Sequence, residues 1–228
     1  MPRKVTESMR GKILAVTVLL MLPAALQAQW AVEAFLGTAV SAPSTLVIRQ
    51  AGEPDIRLTA HYATKPFNSS SAPYYGLRVS HWWGRWGAYF DDLHHKLYLT
   101  NNPPEVTTFE VTYGYNLFSL GAAWRTGHWS VLAGAGPVVT NPTSEVRGEV
   151  KPHDGGILGT GYYVDGVQLQ LGVNRRFRLV GVLFLSADVR GSVGWANVDI
   201  ANGDADVPNY ALHFLLGIGL GKPRTSSP

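Results

Sequence analysis

Within the nine residues Asp91-Asp92-Leu93-His94-His95-Lys96-Leu97-Tyr98-Leu99 the chain gathers two carboxylates, two imidazoles, an ammonium group and a phenol. Groups of these kinds can pass protons, hold a divalent cation or bind an anionic substrate. Which of these they do depends on the element that carries them. On a strand, alternate side chains point to opposite faces, so Asp92, His94, Lys96 and Tyr98 share one face while Asp91, Leu93, His95, Leu97 and Leu99 share the other. The adjacent histidines then cannot close on a single ion. The three leucines mark the second face as the apolar one, which places His95 at the lipid boundary.

Period-two alternation also runs through the rest of the chain, as in QLQLG at 168–172, TFEVT at 108–112 and VLFLSADVR at 182–190. With 25 glycines, 14 prolines and only 15% charged residues, no long stretch has helical periodicity. Eight strands are read at 30–40, 74–83, 87–99, 106–124, 128–140, 159–173, 180–196 and 209–220. Long polar connections at 41–73, 100–105, 141–158 and 197–208 alternate with brief ones such as Gly84-Arg85-Trp86 and Arg125-Thr126-Gly127. An even strand number with this alternation is the pattern of bacterial outer-membrane barrels. In the first long connection, TLVIRQ and DIRLTAHY read as a hairpin standing beyond the membrane.

Aromatic residues segregate in the same frame. Trp30, Trp82, Trp83, Trp86, Trp124 and Trp129 fall at the short-turn ends, and Tyr74, Tyr75, Tyr98, Tyr162, Tyr163 and Tyr210 at the long-loop ends, as interfacial rings do. A soluble sandwich would explain the alternation but not this segregation. The expected fold is therefore all-β, an eight-stranded antiparallel up-and-down transmembrane β-barrel with a filled polar interior, because eight strands enclose only enough space for side chains. One feature is off-pattern: the last strand, ALHFLLGIGLG, runs into KPRTSSP without a terminal aromatic residue.

The N-terminus sets four basic residues, Arg3, Lys4, Arg10 and Lys12, before the apolar run ILAVTVLLMLPAAL. That is the pattern of a secretory signal peptide, too short and too proline-bearing for a spanning helix of about 18 apolar residues or more. Residues 1–28 are thus expected to be the signal peptide, 29–221 the outer-membrane barrel and 222–228 a C-terminal tail. Of 19 basic and 16 acidic residues the leader takes four and one, leaving fifteen of each, so the exported part is neutral and a nucleic-acid partner is excluded. The absence of cysteine removes disulfides, thiolate metal sites, a cysteine nucleophile and a lipobox anchor. A monomer in the outer membrane, with membrane lipid as its partner, is expected.

Face assignment by alternation sends Glu33, Arg78, Asp92, His94, Lys96, Glu110, Gln168, Gln170, Asp188, Arg190 and His213 inward. A tight turn around Arg85 would set Arg78 opposite Asp92, Lys96 opposite Glu110 and His94 near Thr112. Such a cluster serves ion-pair packing of the lumen or chemistry at its outer end.

Three segments in this order, APYYGLRVSHWW, HHKLY and FEVTYGYNLFSL, carry a resemblance to the lipid A oxidase-like outer-membrane barrels of the rhizobial type. The likeness covers roughly residues 72 to 122; the remainder is similar only as barrel architecture. It implies oxidation of the proximal glucosamine of lipid A to 2-aminogluconate in the presence of oxygen, and the matching positions are Tyr74, Tyr75, Arg78, His94, Lys96, Tyr98, Glu110, Gly114 and Asn116. From these, His94, Lys96, Glu110 and Tyr98 are candidate catalytic residues, and Arg78, Tyr74, Tyr75 and Asn116 candidate substrate-binding residues. His94 and Asp92 are the candidates for a divalent metal acting with molecular oxygen as acceptor. The alternative function is a non-catalytic barrel with a structural or loop-mediated binding role. Related deacylases place His and Ser two apart on a strand, which His94 followed by Lys96 does not match. GGILGTG at 155–161 and GIGLGK at 217–222 lack the strand-turn-helix context of a phosphate loop. An enzyme predicts an open polar pocket around His94 reachable from lipid; a structural barrel predicts a sealed network.

Overall fold

A computed structural model describes residues 30–67 and 72–221, so the expected signal peptide and C-terminal tail lie outside the described residues. The strands are β1 (Trp30–Ala42), β2 (Ser44–Gln50), β3 (Ile56–Ala60), β4 (Tyr62–Ala63), β5 (Tyr75–Trp83), β6 (Trp86–Leu99), β7 (Val106–Thr126), β8 (Trp129–Thr140), β9 (Thr143–Val146), β10 (Glu149–Val150), β11 (Tyr163–Val180), β12 (Leu183–Ile200), β13 (Gly203–Asp206) and β14 (Asn209–Gly221). Eight of them form a closed antiparallel ring, β1-β5-β6-β7-β8-β11-β12-β14, sealed where β14 pairs with β1 from Ala31↔Gly221 to Ala42↔Tyr210. Closure leaves the ring no free edge, so the backbone satisfies its own hydrogen bonds without water.

The eight ring strands are those read from the alternation, with some boundaries displaced: β6 starts at Trp86, inside the expected turn, and β11 starts at Tyr163 and not at 159. The sixth does not stop at 173: β11 continues to Val180, because Asn174 and Arg176 keep the alternation and line the lumen, and the turn falls at Gly181-Val182 with Gly181 at φ 55. The outer wall between the ends is apolar, with Val32, Leu77, Phe90, Leu120, Leu171, Phe214 and Leu216 exposed. Trp30, Trp83, Trp86, Trp124 and Trp129 ring the short-turn end, exposed as interfacial residues are. Trp82 departs from that expectation: it turns inward, donates from Nε1 to Ser80 Oγ at 3.1 Å and lies 3.7 Å from the Arg125 guanidinium. A closed ring with an apolar wall and a charged interior is a transmembrane β-barrel.

The lumen is filled in layers. At mid-height Arg78 donates to Asp91 (2.9 Å) and Asp188 (2.8 Å), and Arg190 donates to the same two carboxylates at 2.7 Å each. All four side chains are at most 2% exposed, so each charge needs its partners in place of water. Glu33 is bound by Arg176 at 2.5 Å and by Ser186 Oγ at 2.8 Å. No space for a water molecule remains between Arg78, Tyr89, Gln170 and Arg190. Towards the long loops the filling turns apolar. The hairpin β2–β3, joined to β13, stands beyond the ring as expected, and Leu46, Ile48, Leu93, Leu97, Phe109 and Val198 form a core beneath it.

That apolar core explains a reversal on β6. Trp83 pairs with Trp86 around a two-residue turn, Gly84-Arg85, with Gly84 at φ 62; the expected turn also contained Trp86. One residue of slip exchanges the faces of a strand. Arg78 therefore pairs with Asp91 and not Asp92. On the other side of β6 the register with β7 shifts between His95 and Leu97, and His94 pairs with Asn116 and not near Thr112, Glu110 with Tyr98 and not Lys96. Asp91, Leu93, His95 and Leu97 point into the barrel, while Asp92 and His94, expected inside, belong to the outer wall. Alternation puts Lys96, Tyr98 and Glu110 on that outer side as well. The leucines face a core and not lipid. His95 is fully buried in the lumen, where Nε2 meets Asn209 Oδ1 at 3.1 Å and the ring stands edge-on to His213.

Candidate active site on the outer wall

Pairing across β5, β6 and β7 sets Tyr75, His94 and Asn116 in one row on the outer wall. The Tyr75 ring stacks on the imidazole with centroids 4.9 Å apart and planes 9° apart. On the other side His94 Nδ1 lies 2.7 Å from Asn116 Oδ1. An amide oxygen only accepts, so Nδ1 carries the proton and Nε2 keeps its lone pair. Stack and hydrogen bond together fix the ring, and the backbone makes room for them. Gly114 sits at φ 135, where β7 bulges against β6, and a Cβ there would collide with the Asn116 amide.

These residues line a groove of about 700 Å³. Its lower wall is continuous with the membrane belt through Phe90, Phe118 and Leu120; Tyr113, Thr160 and Tyr162 close it above. Asp92 enters the same groove two residues before His94. Neither His94 Nε2 nor Asp92 Oδ1 has a hydrogen-bond partner, although both atoms are buried. An unsatisfied buried acceptor costs roughly 1–3 kcal/mol, which a ligand hydroxyl donating to it would recover. Tyr162 bonds from its hydroxyl to the Tyr113 carbonyl at 2.7 Å, and burial raises its phenol above the ordinary value, keeping it a neutral donor.

The sequence-derived candidates separate. His94, Tyr75 and Asn116 meet in the groove with Asp92. Arg78 is locked in the lumen by Asp91 and Asp188, and Tyr74 also points inward, its hydroxyl 2.5 Å from His213 Nδ1. Lys96 is buried where the register jumps between His95 and Leu97. Tyr98 lies under the Lys65 ammonium at 4.3 Å, and Glu110 pairs with it across β7. Three further groove residues, Tyr113, Phe118 and Tyr162, were visible only as strand or loop-end aromatics, since nothing local tells which side of the wall they cover. As a metal site the groove offers two protein donors, His94 Nε2 and the Asp92 carboxylate, and among the described residues no group of three potential ligands occurs. A metal bound there would depend on water or substrate for its remaining ligands.

No protein-family model matches the chain, and no curated protein matches it. Solved structures similar to it include the outer membrane protein OprG from Pseudomonas aeruginosa, 12% identical over 86% of this chain and 98% of that one, with a TM-score of 0.44. Ail, the attachment invasion locus protein of Yersinia pestis, is 11% identical over 84% and 97%, with a TM-score of 0.38. The outer membrane protease OmpT from Escherichia coli is 8% identical over 84% and 96%, with a TM-score of 0.40. These likenesses extend to the fold alone.

Proposed function

We propose that the chain is an exported outer-membrane enzyme that oxidises the proximal glucosamine of lipid A to 2-aminogluconate, with its long loops outside and its groove meeting the outer leaflet. The observation that carries this reading is the pair of unpartnered acceptors, His94 Nε2 and Asp92 Oδ1, in a groove continuous with the lipid-facing wall. Unpartnered buried atoms occur in the lumen too, at Asp91 Oδ1 and His95 Nδ1, but those of His94 and Asp92 border an open groove that a ligand can enter.

In the reaction, the anomeric hydroxyl gives its proton to His94 Nε2, whose lone pair is presented by the Asn116 contact. The C1–H bond breaks and its electron pair leaves as C1=O forms, giving a lactone. Molecular oxygen takes up those two electrons and two protons and becomes hydrogen peroxide; water then opens the lactone to the acid. Asp92 accepts a neighbouring hydroxyl and orients the sugar. The chemistry requires a free hydroxyl at C1, and the groove lining contains no Lys or Arg to hold a phosphate there. Apolar walls at Phe90, Phe118 and Leu120 suit the acyl chains of the same molecule.

The test is mass spectrometry of lipid A from cells whose lipid A has a free anomeric hydroxyl, expressing the protein, His94→Ala or neither. Gain of one oxygen atom with the wild type only is expected. Absence of the oxidised species in the wild type overturns the oxidase reading and leaves the barrel as a structural or binding protein.

A further inference from the structure

The loop between β10 and β11 ends in an uncharged run, GGILGTGYYV at 155–164, whose last two residues open β11. Its tip places Leu158 96% exposed and Ile157 45% exposed. Leu158 also adopts φ 52, a left-handed conformation that a leucine rarely takes. Gly155, Gly156, Gly159 and Gly161 all have positive φ around it and supply the backbone that brings the tip there. The loop is clamped in this shape: Ile157 N–H donates to the Tyr162 carbonyl at 2.6 Å, Gly161 N–H to the Gly155 carbonyl at 3.0 Å, and the Tyr163 hydroxyl to the Asp154 carbonyl at 2.7 Å. A fixed backbone therefore holds out an apolar tip that nothing among the described residues covers. The turns at Gly52-Glu53, Arg147-Gly148 and Asn202-Gly203 at this end carry polar or charged residues, whereas the β4–β5 connection also exposes an apolar side chain, Phe67.

We propose that the 155–161 loop is a lipid-inserting finger whose Ile157-Leu158 tip enters the acyl layer of the membrane and forms the lipid-side rim of the His94 groove. Continuity with the membrane belt identifies the partner: Ile157 and Thr160 line the same groove as Phe118 and Leu120, and Leu120 belongs to the exposed apolar wall. Acyl chains are the medium in which an uncovered Leu158 is favourable and the absence of charge carries no cost. An amphiphile would then reach His94 along the membrane plane, without leaving lipid. This role in admitting substrate rests on the oxidase reading; insertion of the tip does not.

The protein contains no cysteine, so Leu158→Cys creates a single labelling site, and replacing a side chain this exposed removes no packing. The full barrel, nitroxide-labelled at position 158 and reconstituted in phosphatidylcholine vesicles, is compared with the same protein labelled through Glu53→Cys in the β2–β3 turn. Collisions with dissolved oxygen should dominate at position 158, and collisions with a water-soluble nickel chelate at position 53. An aqueous profile at position 158 matching that at position 53 overturns the proposal. The measurement needs no turnover, so loss of the oxidase reading would leave its outcome unaffected.

Discussion

His94 and His95 are neighbours in sequence and occupy opposite environments. His95 points into a lumen where Arg78 and Arg190 are each shared between Asp91 and Asp188, and no space for water remains between Arg78, Asp188 and Arg190. His94 points out, held by Tyr75 and Asn116 beside a groove of about 700 Å³, with one ring nitrogen unused. Each histidine leaves one ring nitrogen unpartnered, so what separates them is the space beside it: His94 borders an open groove, while His95 is fully enclosed. Clustered ionisable residues alone do not distinguish them, since both regions are rich in these groups.

The comparison breaks most sharply at His94. His94→Gln should lower lipid A oxidation roughly 10²- to 10⁴-fold, the usual contribution of a general base, with little change in the urea unfolding midpoint. Equal activity of wild type and variant would remove the groove from the chemistry. In the lumen the effect should fall on stability. Asp188→Ala strips Arg78 and Arg190 of one shared carboxylate and should cost about 3–5 kcal/mol, read from urea unfolding in detergent micelles, while whatever remains folded keeps its activity.

Asn116→Ala tests the positioning of the ring. Loss of one hydrogen bond, about 0.5–1.5 kcal/mol, should appear as a several-fold fall in turnover, and Asn116→Asp should restore part of it. The smallest effect belongs to the loop-end sheet, where Arg49 donates to Asp204 at 2.7 Å and also to Asp206. Hydrogen bonds from Arg49 and Asn197 hold the Asp206 carboxyl below its ordinary range. Its stabilising contribution is complete above the ordinary carboxylate pKa and is lost as the pH falls through the lowered value. Thermal midpoints at neutral pH and in acid should therefore converge in Arg49→Ala relative to the wild type, by a margin small enough to fit a solvent-screened pair. An unchanged pH dependence would show that the pair adds nothing.

The ring of eight strands was legible because alternation is a local property: QLQLG or TFEVT shows period two without reference to any other segment. The misplaced sixth turn has an equally local cause, since Asn174-Arg175-Arg176 looks like loop and is in fact two lumen residues flanking an outward one. Legibility failed where a face had to be named. Leu93 and Leu97 were read as lipid-facing because a barrel is polar inside, yet the β2–β3 extension creates an apolar core at just that height.

Composition and alternation by themselves determine that this chain is a β-barrel, how many strands form its ring and where most of them begin and end; the resemblance, not the alternation, put Tyr75, His94 and Asn116 among one set of positions. The tertiary structure alone decides on which side of the wall they stand and what completes the groove. Strand register depends on the Gly84-Arg85 turn being one residue shorter than expected, and every side chain of the strand reverses with it. Tyr162 and Ile157 reach the groove through a folded loop whose glycine angles are invisible in a period-two pattern.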